Sequence, residues 1–497
     1  VDAVFLCPVD WKKIEPALDA LEEADIPVIN LDTKVYESGK GAAFVGSDNR
    51  NAGYVCGEDL VERKPDGGQV VIVENLNVNS VCERITGFEE AVSKGAFEVV
   101  KRIQTGNDGS GLKQQVAQVL AQNPDLDAIM CGDDQMAEQV REAITEAGQE
   151  KHMQLVTREP IGVVACIIPF NFPCDLFDQK VAPALMMGNA AIVLPSSDNP
   201  LTLMTLTEML TDAGVPDGVI QCLTAPGAVK DAAVLDPRVH LVTLTGSTQV
   251  GIETARLAAE NLTHTALELG GNDAFILLDD GDVDLAVEEM VWGRMYNTGQ
   301  VCCASKRFLV HNSIKDEFTR KVVERIKQLR VGDPREEDTQ IGCLISEKAA
   351  IKVEKEVERT VEQGGRIILG GKRNGAFYEP TVIADVPKTA DVAKDMEIFG
   401  PVVPVIGFDT DDEAIEIANN SVFGLSSCVF SRDQKRAFRV ASAMEAGGAV
   451  INGASFFRAF EMPFGGWKHS GIGTEGVMST FDEMTRVKNI VLKNIID

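Results

Sequence analysis

Two glycine-rich segments near the middle of the chain contain residues that could do chemistry. Glu268 begins the segment 268–271, and Cys302 ends the segment 297–302. A cysteine thiol with an ordinary pKa near ~8.5 is partly ionised at neutral pH, which makes it a good nucleophile for a carbonyl carbon. A carboxylate that lies close to a water molecule can act as a general base. The two segments together predict a thiol nucleophile and a general base.

These segments, in this order and at this spacing, resemble the active-site signatures of the NAD(P)-dependent aldehyde dehydrogenases. The resemblance is nearly continuous from about Arg158 to the C-terminus, over about 340 residues. It implies that an aldehyde is oxidised with NAD or NADP to a carboxylic acid through a cysteine thioester. Cys302 would attack the aldehyde and Glu268 would activate the hydrolytic water, which disfavours transfer of the acyl group to coenzyme A. By the same motif, Cys303 is not the nucleophile.

A turn bracketed by two prolines, residues 169–173, also fits this family. It resembles the proline-aromatic-asparagine-phenylalanine-proline turn of the aldehyde dehydrogenases. The resemblance implies that the side-chain amide of Asn171 and the backbone N–H of Cys302 donate hydrogen bonds to the oxyanion that forms when Cys302 attacks. Removal of one such donor typically lowers the rate about 10²–10³-fold.

The cofactor contacts implied by the resemblance are spread along the chain. Residues 245–247 follow a predicted strand and open a predicted helix, whose N-terminus suits a pyrophosphate. Residues 188–197 resemble the family's adenosine-ribose segment, and residues 397–401 resemble the segment that holds the nicotinamide ribose. The full set of implied contacts with NAD or NADP is Ile168, Pro169, Phe170, Pro195, Ser197, Gly246, Ser247, Leu269, Glu397 and Phe399.

Three positions depart from the family pattern. Asn272 replaces the lysine that usually follows the two glycines after Glu268. Ser197 stands where the family often has a glutamate that would repel a 2′-phosphate, and Leu194 stands where it usually has a lysine. The loss of the glutamate favours NADP and the loss of the lysine disfavours it, so both cofactors are expected to work.

The substrate implied by the resemblance is a small aldehyde. Hydroxyaldehydes such as lactaldehyde, and semialdehydes, are the candidate classes. Arg458 lies where the family lines its substrate entrance, either as a contact for a carboxylated or hydroxylated aldehyde or as a solvated side chain.

The first part of the chain follows a different pattern. Residues 1–147 alternate apolar strand signals with helical spacings, which predicts a parallel sheet with helices on both faces. This part resembles the middle of sugar-binding proteins of the periplasmic ribose-binding type, in the segments 27–32, 45–49, 83–88 and 132–137. The resemblance places Asp32, Arg84 and Asp134 at sugar-contacting positions in a cleft that would be incomplete. We therefore expect no sugar-dependent activity from residues 1–147.

The predicted fold class is α/β. A partial periplasmic-binding-protein-like lobe, residues 1–147, precedes a cofactor-binding domain at 148–270 and a catalytic domain at 271–468. Residues 469–497 return to the cofactor domain and end in a strand near 490–492 that pairs across subunits in the family, so a homo-oligomer is expected. A sugar-binding module and a catalytically inactive fusion chain stay open as alternatives, the second because the family's mostly helical first segment finds no match.

The composition limits the partners. A net charge of −29 in 497 residues would repel nucleic-acid phosphates, and the longest apolar runs are too short to span a membrane. The 11 cysteines are scattered apart from Cys302 and Cys303 and form no C-x-x-C pattern, so a disulfide framework is not expected. The 5 histidines lack the spacing of metal ligands. These observations predict a cytoplasmic enzyme without a metal, nucleic acid or membrane partner.

Overall fold

The chain divides into two units of different size. A computed structural model describes residues 4–6, 14–24, 28–31, 43–45, 49–106, 110–147, 154–225, 227–459 and 462–491. The first unit contains residues 1–157 and 489–497, and the second contains residues 158–488. All predicted catalytic and cofactor residues belong to the second unit.

The first unit alternates strands and helices, as its sequence pattern predicts. In chain order its elements are β1 (Val4–Leu6), α1 (Glu15–Glu23), β2 (Val28–Leu31), β3 (Ala43–Val45), α2 (Asn49–Arg63), β4 (Gly68–Glu74), α3 (Asn79–Val92), β5 (Phe97–Gln104), α4 (Leu112–Gln122), β6 (Ala128–Cys131) and α5 (Asp134–Glu146). Two parallel sheets form, with the strand orders β1-β2-β3 and β5-β4-β6.

The core of the first unit forms around the β5-β4-β6 sheet. Sequence spacing predicts one apolar helix face in the segment that becomes α4, and its four members are all buried there, namely Leu112, Val116, Val119 and Leu120. The backbones of α2 and α3 approach closely, since a Cβ added at Gly53 would lie 1.7 Å from the carbonyl oxygen of Arg84. Glycine is the residue that permits such an approach.

Arg84, which the resemblance assigns to sugar binding, makes hydrogen bonds to the protein itself. Its Nε donates to Asn49 Oδ1 at 2.9 Å and its Nη1 donates to the carbonyl oxygen of Gly132 at 3.0 Å. Asp134 begins α5, and Asp32 lies outside the described residues. These contacts give Arg84 a structural role between α2 and the loop after β6. Sugar binding by this unit stays a hypothesis.

The second unit opens with the elements of its first sheet. β7 (Gln154–Pro160) crosses the boundary between the units in sequence. The elements that follow are β8 (Val163–Ile168), α6 (Pro173–Met186), β9 (Ala190–Pro195), α7 (Pro200–Asp212), β10 (Ile220–Cys222), α8 (Gly227–Val234), β11 (Val239–Thr245), α9 (Thr248–Ala259) and β12 (His264–Glu268). α6 and α7 each begin at a proline, which suits the first turn because its backbone N–H groups have no partner within the helix.

The remaining elements include the second sheet and the last strand of the first sheet. They are β13 (Asp273–Leu277), α10 (Val283–Met290), a π-helix (Val291–Met295), 3₁₀-helices at Tyr296–Gly299 and Asp391–Ala393, β14 (Ser305–His311), α11 (Lys315–Ile326), α12 (Glu347–Glu362), β15 (Arg366–Leu369), β16 (Arg373–Asn374), β17 (Phe377–Tyr378), β18 (Thr381–Ala384), β19 (Val402–Phe408), α13 (Asp411–Asn419), β20 (Phe423–Gly424), β21 (Ser427–Phe430), α14 (Gln434–Ala443), β22 (Val450–Ile451), β23 (Trp467–Lys468), β24 (Gly471–Ile472), α15 (Val477–Glu483) and β25 (Thr485–Val491).

The first sheet of the second unit has the strand order β10-β9-β8-β11-β12-β24. Its first five strands are parallel, and β24 joins β12 in the antiparallel direction. Side chains of β8 alternate between the two faces: Val164, Cys166 and Ile168 pack in one buried cluster and Ala165 packs in another. Both faces of the sheet are therefore covered, as expected for parallel strands.

The second sheet has the order β15-β18-β19-β14-β13-β21-β22 and is parallel except for β15. β13 is buried along its whole length. Its Ala274 and Ile276 face one core cluster, while Phe275 and Leu277 face the other. Phe275 stacks on Phe430 with ring centroids 4.6 Å apart. The α/β fold class predicted from the sequence is confirmed.

Candidate active site

The carboxyl ends of β8, β9, β11 and β12 meet at one edge of the first sheet because these strands run parallel. β8 and β11 are neighbours, but the chain continues from β8 to β9 on one side and from β11 to β12 on the other. Ligands of open α/β sheets bind at such a switch point. The structure brings eight predicted cofactor residues to this edge, namely Ile168, Pro169, Phe170, Pro195, Ser197, Gly246, Ser247 and Leu269.

The N-terminus of α9 lies directly after β11. Ser247 caps it, because its Oγ accepts a hydrogen bond from the Val250 N–H at 3.4 Å. Gly251 packs so closely against Leu269 that an added Cβ would lie 2.3 Å from Leu269 Cδ2. The buried Thr245 Oγ1 has no hydrogen-bond partner among the described atoms. A helix N-terminus beside an unpaired buried hydroxyl fits the phosphate and ribose groups of NAD or NADP.

Glu397 and Phe399 come from the loop before β19 and contact the same region. The Gly271 N–H donates to Glu397 Oε1 at 3.2 Å, and Lys306 Nζ lies 3.2 Å from the same oxygen. The rings of Phe399 and Phe170 meet edge to face, with centroids 6.4 Å apart. The structure therefore places the segment predicted to hold the nicotinamide ribose next to the turn after β8.

Cys302 follows a loop with an unusual backbone. Asn297, Thr298 and Gly299 have φ angles of 48°, 57° and 75°, in the left-handed region that is unfavourable for non-glycine residues. Gly299 is required at its position because a Cβ would lie 2.3 Å from the carbonyl oxygen of Gly400. Backbone strain of this kind is typical of functional sites, where surrounding contacts hold it in place.

The pKa values of the adjacent thiols of Cys302 and Cys303 are shifted in opposite directions. The hydrogen bond from Cys303 lowers the pKa of Cys302, and the Lys306 ammonium lowers it further, against the opposing effects of burial and Glu397. The same hydrogen bond, together with burial, raises the pKa of Cys303 well above its ordinary value. The shift favours the thiolate at Cys302, which is also the less buried of the two thiols.

The turn predicted to stabilise the oxyanion is joined to the Cys302 loop. Asn171 Nδ2 donates to the carbonyl oxygen of Gln300 at 3.1 Å, and Asn297 Nδ2 donates to the carbonyl oxygen of Asn171 at 2.9 Å. A side-chain amide carries two N–H donors. The contact with Gln300 uses one of them, and the second N–H of Asn171 has no acceptor among the hydrogen bonds of the described residues.

Glu268 ends β12, and only 4 % of its surface is exposed. Burial and the charge of Glu475 raise the pKa of Glu268 well above its ordinary value, whereas Lys180 acts in the opposite direction. The Cys302 thiolate also raises the pKa of Glu268, which puts the two groups within electrostatic range of each other. Glu268 Oε2 has no hydrogen-bond partner among the atoms that the structure describes. This oxygen is therefore a buried acceptor that no described group satisfies.

A buried ion pair beside Glu268 was missed by the sequence reasoning. Lys180 on α6 is fully buried, and its Nζ donates to Glu475 Oε1. The residues are 295 positions apart, so nothing local in the sequence connects them. A lysine within the largely apolar segment 173–186 is the signal that could have indicated it, because lysine is rarely buried unless it is paired.

Lys230 of α8 lies at the end of β9, next to the segment that resembles the family's adenosine-ribose segment. Leu194, at the position where the family usually has lysine, is fully buried in the core with Ala165 and Val242. Lys230 of α8 reaches the end of β9, where its Nζ donates to the carbonyl oxygen of Pro195 at 2.5 Å. Burial lowers the pKa of Lys230, and no carboxylate contributes to that shift. A half-buried cation therefore stands at the end of β9, a contact that the sequence did not indicate.

Asn272, the third departure from the family pattern, is a structural residue. Its Nδ2 donates to the carbonyl oxygens of Val392 and Lys394 at 3.1 and 2.9 Å. The backbone carbonyl oxygen of Asn272 accepts a hydrogen bond from Arg307 Nε at 2.5 Å. The side-chain amide thus fastens the loop that leads to Glu397.

Aromatic rings surround the approach to Cys302. Phe172 stacks on Tyr296 and on Phe456, with ring centroids 6.1 and 6.2 Å apart. Phe456 and Phe464 also belong to the apolar cluster that contains Cys302. The Arg458 guanidinium lies 4.4 Å from the centre of the Phe464 ring. The charge of Arg458 also lowers the pKa of Glu268.

Two further features bear on the class of protein. Within the part of the chain that the structure describes, no group of His, Cys, Asp or Glu side chains is arranged to hold a metal ion. No helix in the described ranges is long and apolar enough to cross a membrane.

Comparison with known protein families gives two matches. The model of the aldehyde dehydrogenase family matches residues 94–490, and the model of the periplasmic binding protein domain matches residues 1–163. The resemblances read from the two parts of the sequence are therefore confirmed. The two matches overlap between residues 94 and 163.

Individual relatives support the same family. The chain is 41% identical to a lactaldehyde dehydrogenase of Methanococcus aeolicus, over 68% of this chain and 73% of the relative. It is 40% identical to a 3-sulfolactaldehyde dehydrogenase of Priestia megaterium, over 69% of this chain and 72% of the relative.

Solved structures agree with these relatives. A betaine aldehyde dehydrogenase of Staphylococcus aureus in complex with NAD⁺ has a TM-score of 0.67 and 32% identity, over 78% of this chain and 82% of that chain. A glyceraldehyde-3-phosphate dehydrogenase of Methanocaldococcus jannaschii complexed with NADP has a TM-score of 0.65 and 36% identity, over 77% of this chain and 86% of that chain.

The opposite shifts of the two adjacent thiols lead to a first prediction. We expect Cys302→Ala to abolish NAD(P)H formation from an aldehyde, because the thiolate is lost. Cys303→Ala should keep most of the activity but require a higher pH, because Cys302 loses a hydrogen bond that lowers its pKa. Steady-state rates across pH, with the exposed Cys174→Ala as control, make the measurement. Equal loss in the two active-site variants would contradict the assignment.

Proposed function

The chain belongs to the aldehyde dehydrogenase family and is an NAD(P)-dependent aldehyde dehydrogenase; from this premise we propose that Cys302, Glu268 and Asn171 carry its reaction. One observation carries the proposal. A thiol whose pKa is lowered and a buried carboxyl group with an unpaired oxygen lie within electrostatic range of each other.

In the proposed first step, the Cys302 thiolate attacks the carbonyl carbon of the aldehyde. The resulting oxyanion accepts hydrogen bonds from the free amide N–H of Asn171 and from the backbone N–H of Cys302. These donors are fixed before the charge develops, because Asn171 and Asn297 already join the two loops. A bound NAD or NADP supplies the hydride acceptor that allows oxidation to the thioester.

Glu268 acts in the second step. Its carboxylate takes a proton from a water molecule, the resulting hydroxide attacks the thioester carbon, and the Cys302 thiolate leaves with release of the carboxylic acid. Burial and Glu475 favour the protonated form of Glu268, so the base is scarce at low pH. Because the pKa of Glu268 is raised, its carboxylate forms at a higher pH than that of an ordinary glutamate. The rate of thioester hydrolysis should therefore increase as the pH rises.

The cofactor would be held by residues from three places. The edge of the first sheet contributes Ile168, Pro169, Phe170, Pro195, Ser197 and Leu269; the start of α9 contributes Gly246 and Ser247; and the loop before β19 contributes Glu397 and Phe399. The unpaired Thr245 Oγ1 and the N-terminus of α9 support this placement. Domain boundaries at 147/148, 270/271 and 468/469 go with it as predictions.

The substrate class follows from the charge near the entrance. Arg458 lies over Phe464, in the group of rings that packs around Cys302. A guanidinium attracts carboxylate or sulfonate groups and repels a quaternary ammonium group. The relatives named for lactaldehyde and 3-sulfolactaldehyde support the same choice. We propose a small aldehyde with a hydroxyl or an anionic group as substrate.

The function is tested by NAD(P)H formation over an aldehyde panel with each cofactor. Lactaldehyde and succinate semialdehyde should be oxidised with a higher kcat/KM than propanal, and betaine aldehyde should be the poorest substrate because its cation faces Arg458. Cys302→Ala provides the blank. Absence of NAD(P)H with every aldehyde would reject the function. A preference for betaine aldehyde would reject only the substrate class.

Glu268→Gln separates the two steps. The variant should produce about one equivalent of NAD(P)H per active site and then almost stop, because the thioester forms but is not hydrolysed. Stopped-flow absorbance shows the burst, and mass spectrometry shows the acylated Cys302. Glu260→Gln, at the exposed residue that follows α9, is the matched control and should turn over normally. Undiminished steady-state turnover of Glu268→Gln would remove this residue from the mechanism.

Lys230 and Ser197 make NADP acceptable as a cofactor. Ser197 brings no negative charge, and Lys230 at the end of β9 offsets the loss of a lysine at position 194. We expect kcat/KM for NAD⁺ and NADP⁺ to lie within roughly tenfold, or about 1.4 kcal/mol. Lys230→Met should lower the NADP⁺ value and leave the NAD⁺ value nearly unchanged, and Ser197→Glu should shift the preference clearly to NAD⁺. Lys348→Met, at an exposed position on α12, is the control. Equal effects of Lys230→Met on both cofactors would contradict this role.

Assembly and location stay proposals. Strand β25 ends at Val491, within the segment predicted to pair across subunits, and supports a homo-oligomer as the working assumption. All 10 described cysteines are free, which supports a reducing compartment such as the cytoplasm.

A further inference from the structure

Lys306 is a deeply buried cation beside the nucleophile. It lies at the start of β14, four residues after Cys302, and only 1 % of its surface is exposed. Its Nζ donates a hydrogen bond to the carbonyl oxygen of Cys302 and forms an ion pair with Glu397 Oε1 at 3.2 Å. The ammonium also lies 6.0 Å from the centre of the Phe399 ring. One side chain therefore joins the Cys302 turn to the loop before β19.

The burial of this ammonium needs a compensating gain. An uncompensated charge in a protein interior costs several kcal/mol, whereas a lysine that merely fills space could be replaced by an apolar residue of similar size. Glu397 compensates part of the charge, but its side chain is 20% exposed and the ammonium is much more deeply buried. The second contact of Nζ is to the turn of the nucleophile itself.

The charged groups around Cys302 come from several elements. Cys303 and Lys306 follow it in sequence, Glu397 comes from the loop before β19, Glu268 ends β12, and Asp273 begins β13. Three of these groups are acids whose charges oppose a thiolate. Lys306 is the cation that acts on Cys302, and it also acts on the fully buried Asp273. Without Lys306, Cys302 would lose the cation that lowers its pKa, while the three carboxyl groups that oppose a thiolate would remain.

We propose that Lys306 is a positioning residue that fastens the Cys302 turn to Glu397 and whose charge favours the thiolate form of the nucleophile. The proposal rests on the proposed function in taking Cys302 as the nucleophile. The ammonium of Lys306 contacts both the carbonyl oxygen of Cys302 and the carboxylate of Glu397. The negative charge of Glu397 opposes the effect of the ammonium on the Cys302 thiol, so the reactivity of the thiol depends on this ion pair.

The test is the pH dependence of Cys302 alkylation in the protein without added cofactor. Iodoacetamide reacts with the thiolate, and mass spectrometry with fragmentation distinguishes Cys302 from Cys303. Lys306→Met should move the midpoint of the rate-against-pH curve upward by about one to three units, the range for loss of a close opposite charge. Lys306→Arg should move it much less, because the charge is kept. Lys321→Met, which removes a lysine paired with Asp284 on the surface, should leave it unchanged.

A purely structural role for Lys306 makes a different prediction. In that case Lys306→Met would lower the melting temperature and leave the midpoint for Cys302 where it was, and the proposal would be overturned. If Lys306→Met does not fold, Glu397→Gln provides the second measurement. Its midpoint should move downward, because an acid that opposes the thiolate is lost and the ammonium is released from its ion pair; an unchanged or higher midpoint would overturn the proposal.

Alkylation requires neither an aldehyde nor turnover. A failure of the proposed function would appear as absent NAD(P)H formation over the aldehyde panel, even with a normal alkylation curve. A failure of the Lys306 proposal would appear as an unshifted alkylation curve in an enzyme that oxidises aldehydes. The two results can therefore be told apart in the same preparation.

Discussion

The parallel pairing of β8, β9, β11 and β12 is the constraint on which the candidate site depends. Parallel hydrogen-bonded strands all end at the same edge of the sheet, so the segments that follow them must meet there. The turn after β8, the end of β9, the start of α9 and Glu268 are separated by up to about 100 residues in sequence, yet the ladder brings them together. The core residues of both faces hold this arrangement and take no part in the chemistry.

Burial and neighbouring groups shift the pKa values of an acid and two thiols at this edge. Glu268 and Cys303 are pushed towards their neutral forms, while Cys302 is pushed towards its anion. The directions differ because burial and the charge of Glu475 act on Glu268, whereas the hydrogen bond from Cys303 and the charge of Lys306 act on Cys302. Such differences are large only where water is largely excluded, since solvent would screen the same charges at the surface. The acid and the nucleophile are thus distinguished by their surroundings.

Two residues that differ from the family pattern, Leu194 and Asn272, are best understood from the groups that lie around them. Leu194 removes a lysine from β9, and Lys230 of α8 places an ammonium at the end of the same strand. Asn272 removes another lysine and uses its amide to fasten the loop that leads to Glu397. The first unit keeps its own sheets and core, and its residue Arg84 bonds to neighbouring protein groups. The role of a residue that departs from the family pattern is therefore inferred from its contacts in the structure as well as from its residue type.

The sequence by itself determined the α/β class and the two-part organisation, because apolar periodicity is a local pattern. It also proposed Cys302, Glu268 and Asn171 as site residues, because glycine-rich segments and a proline-bracketed turn resemble those of the aldehyde dehydrogenases. It could not reveal the Lys180–Glu475 pair, the reach of Lys230 to Pro195 or the contact between Lys306 and Glu397. Each of these joins residues at least 35 positions apart. The partner of a buried charge is decided by which chain segments pack together, and only the tertiary structure supplies that.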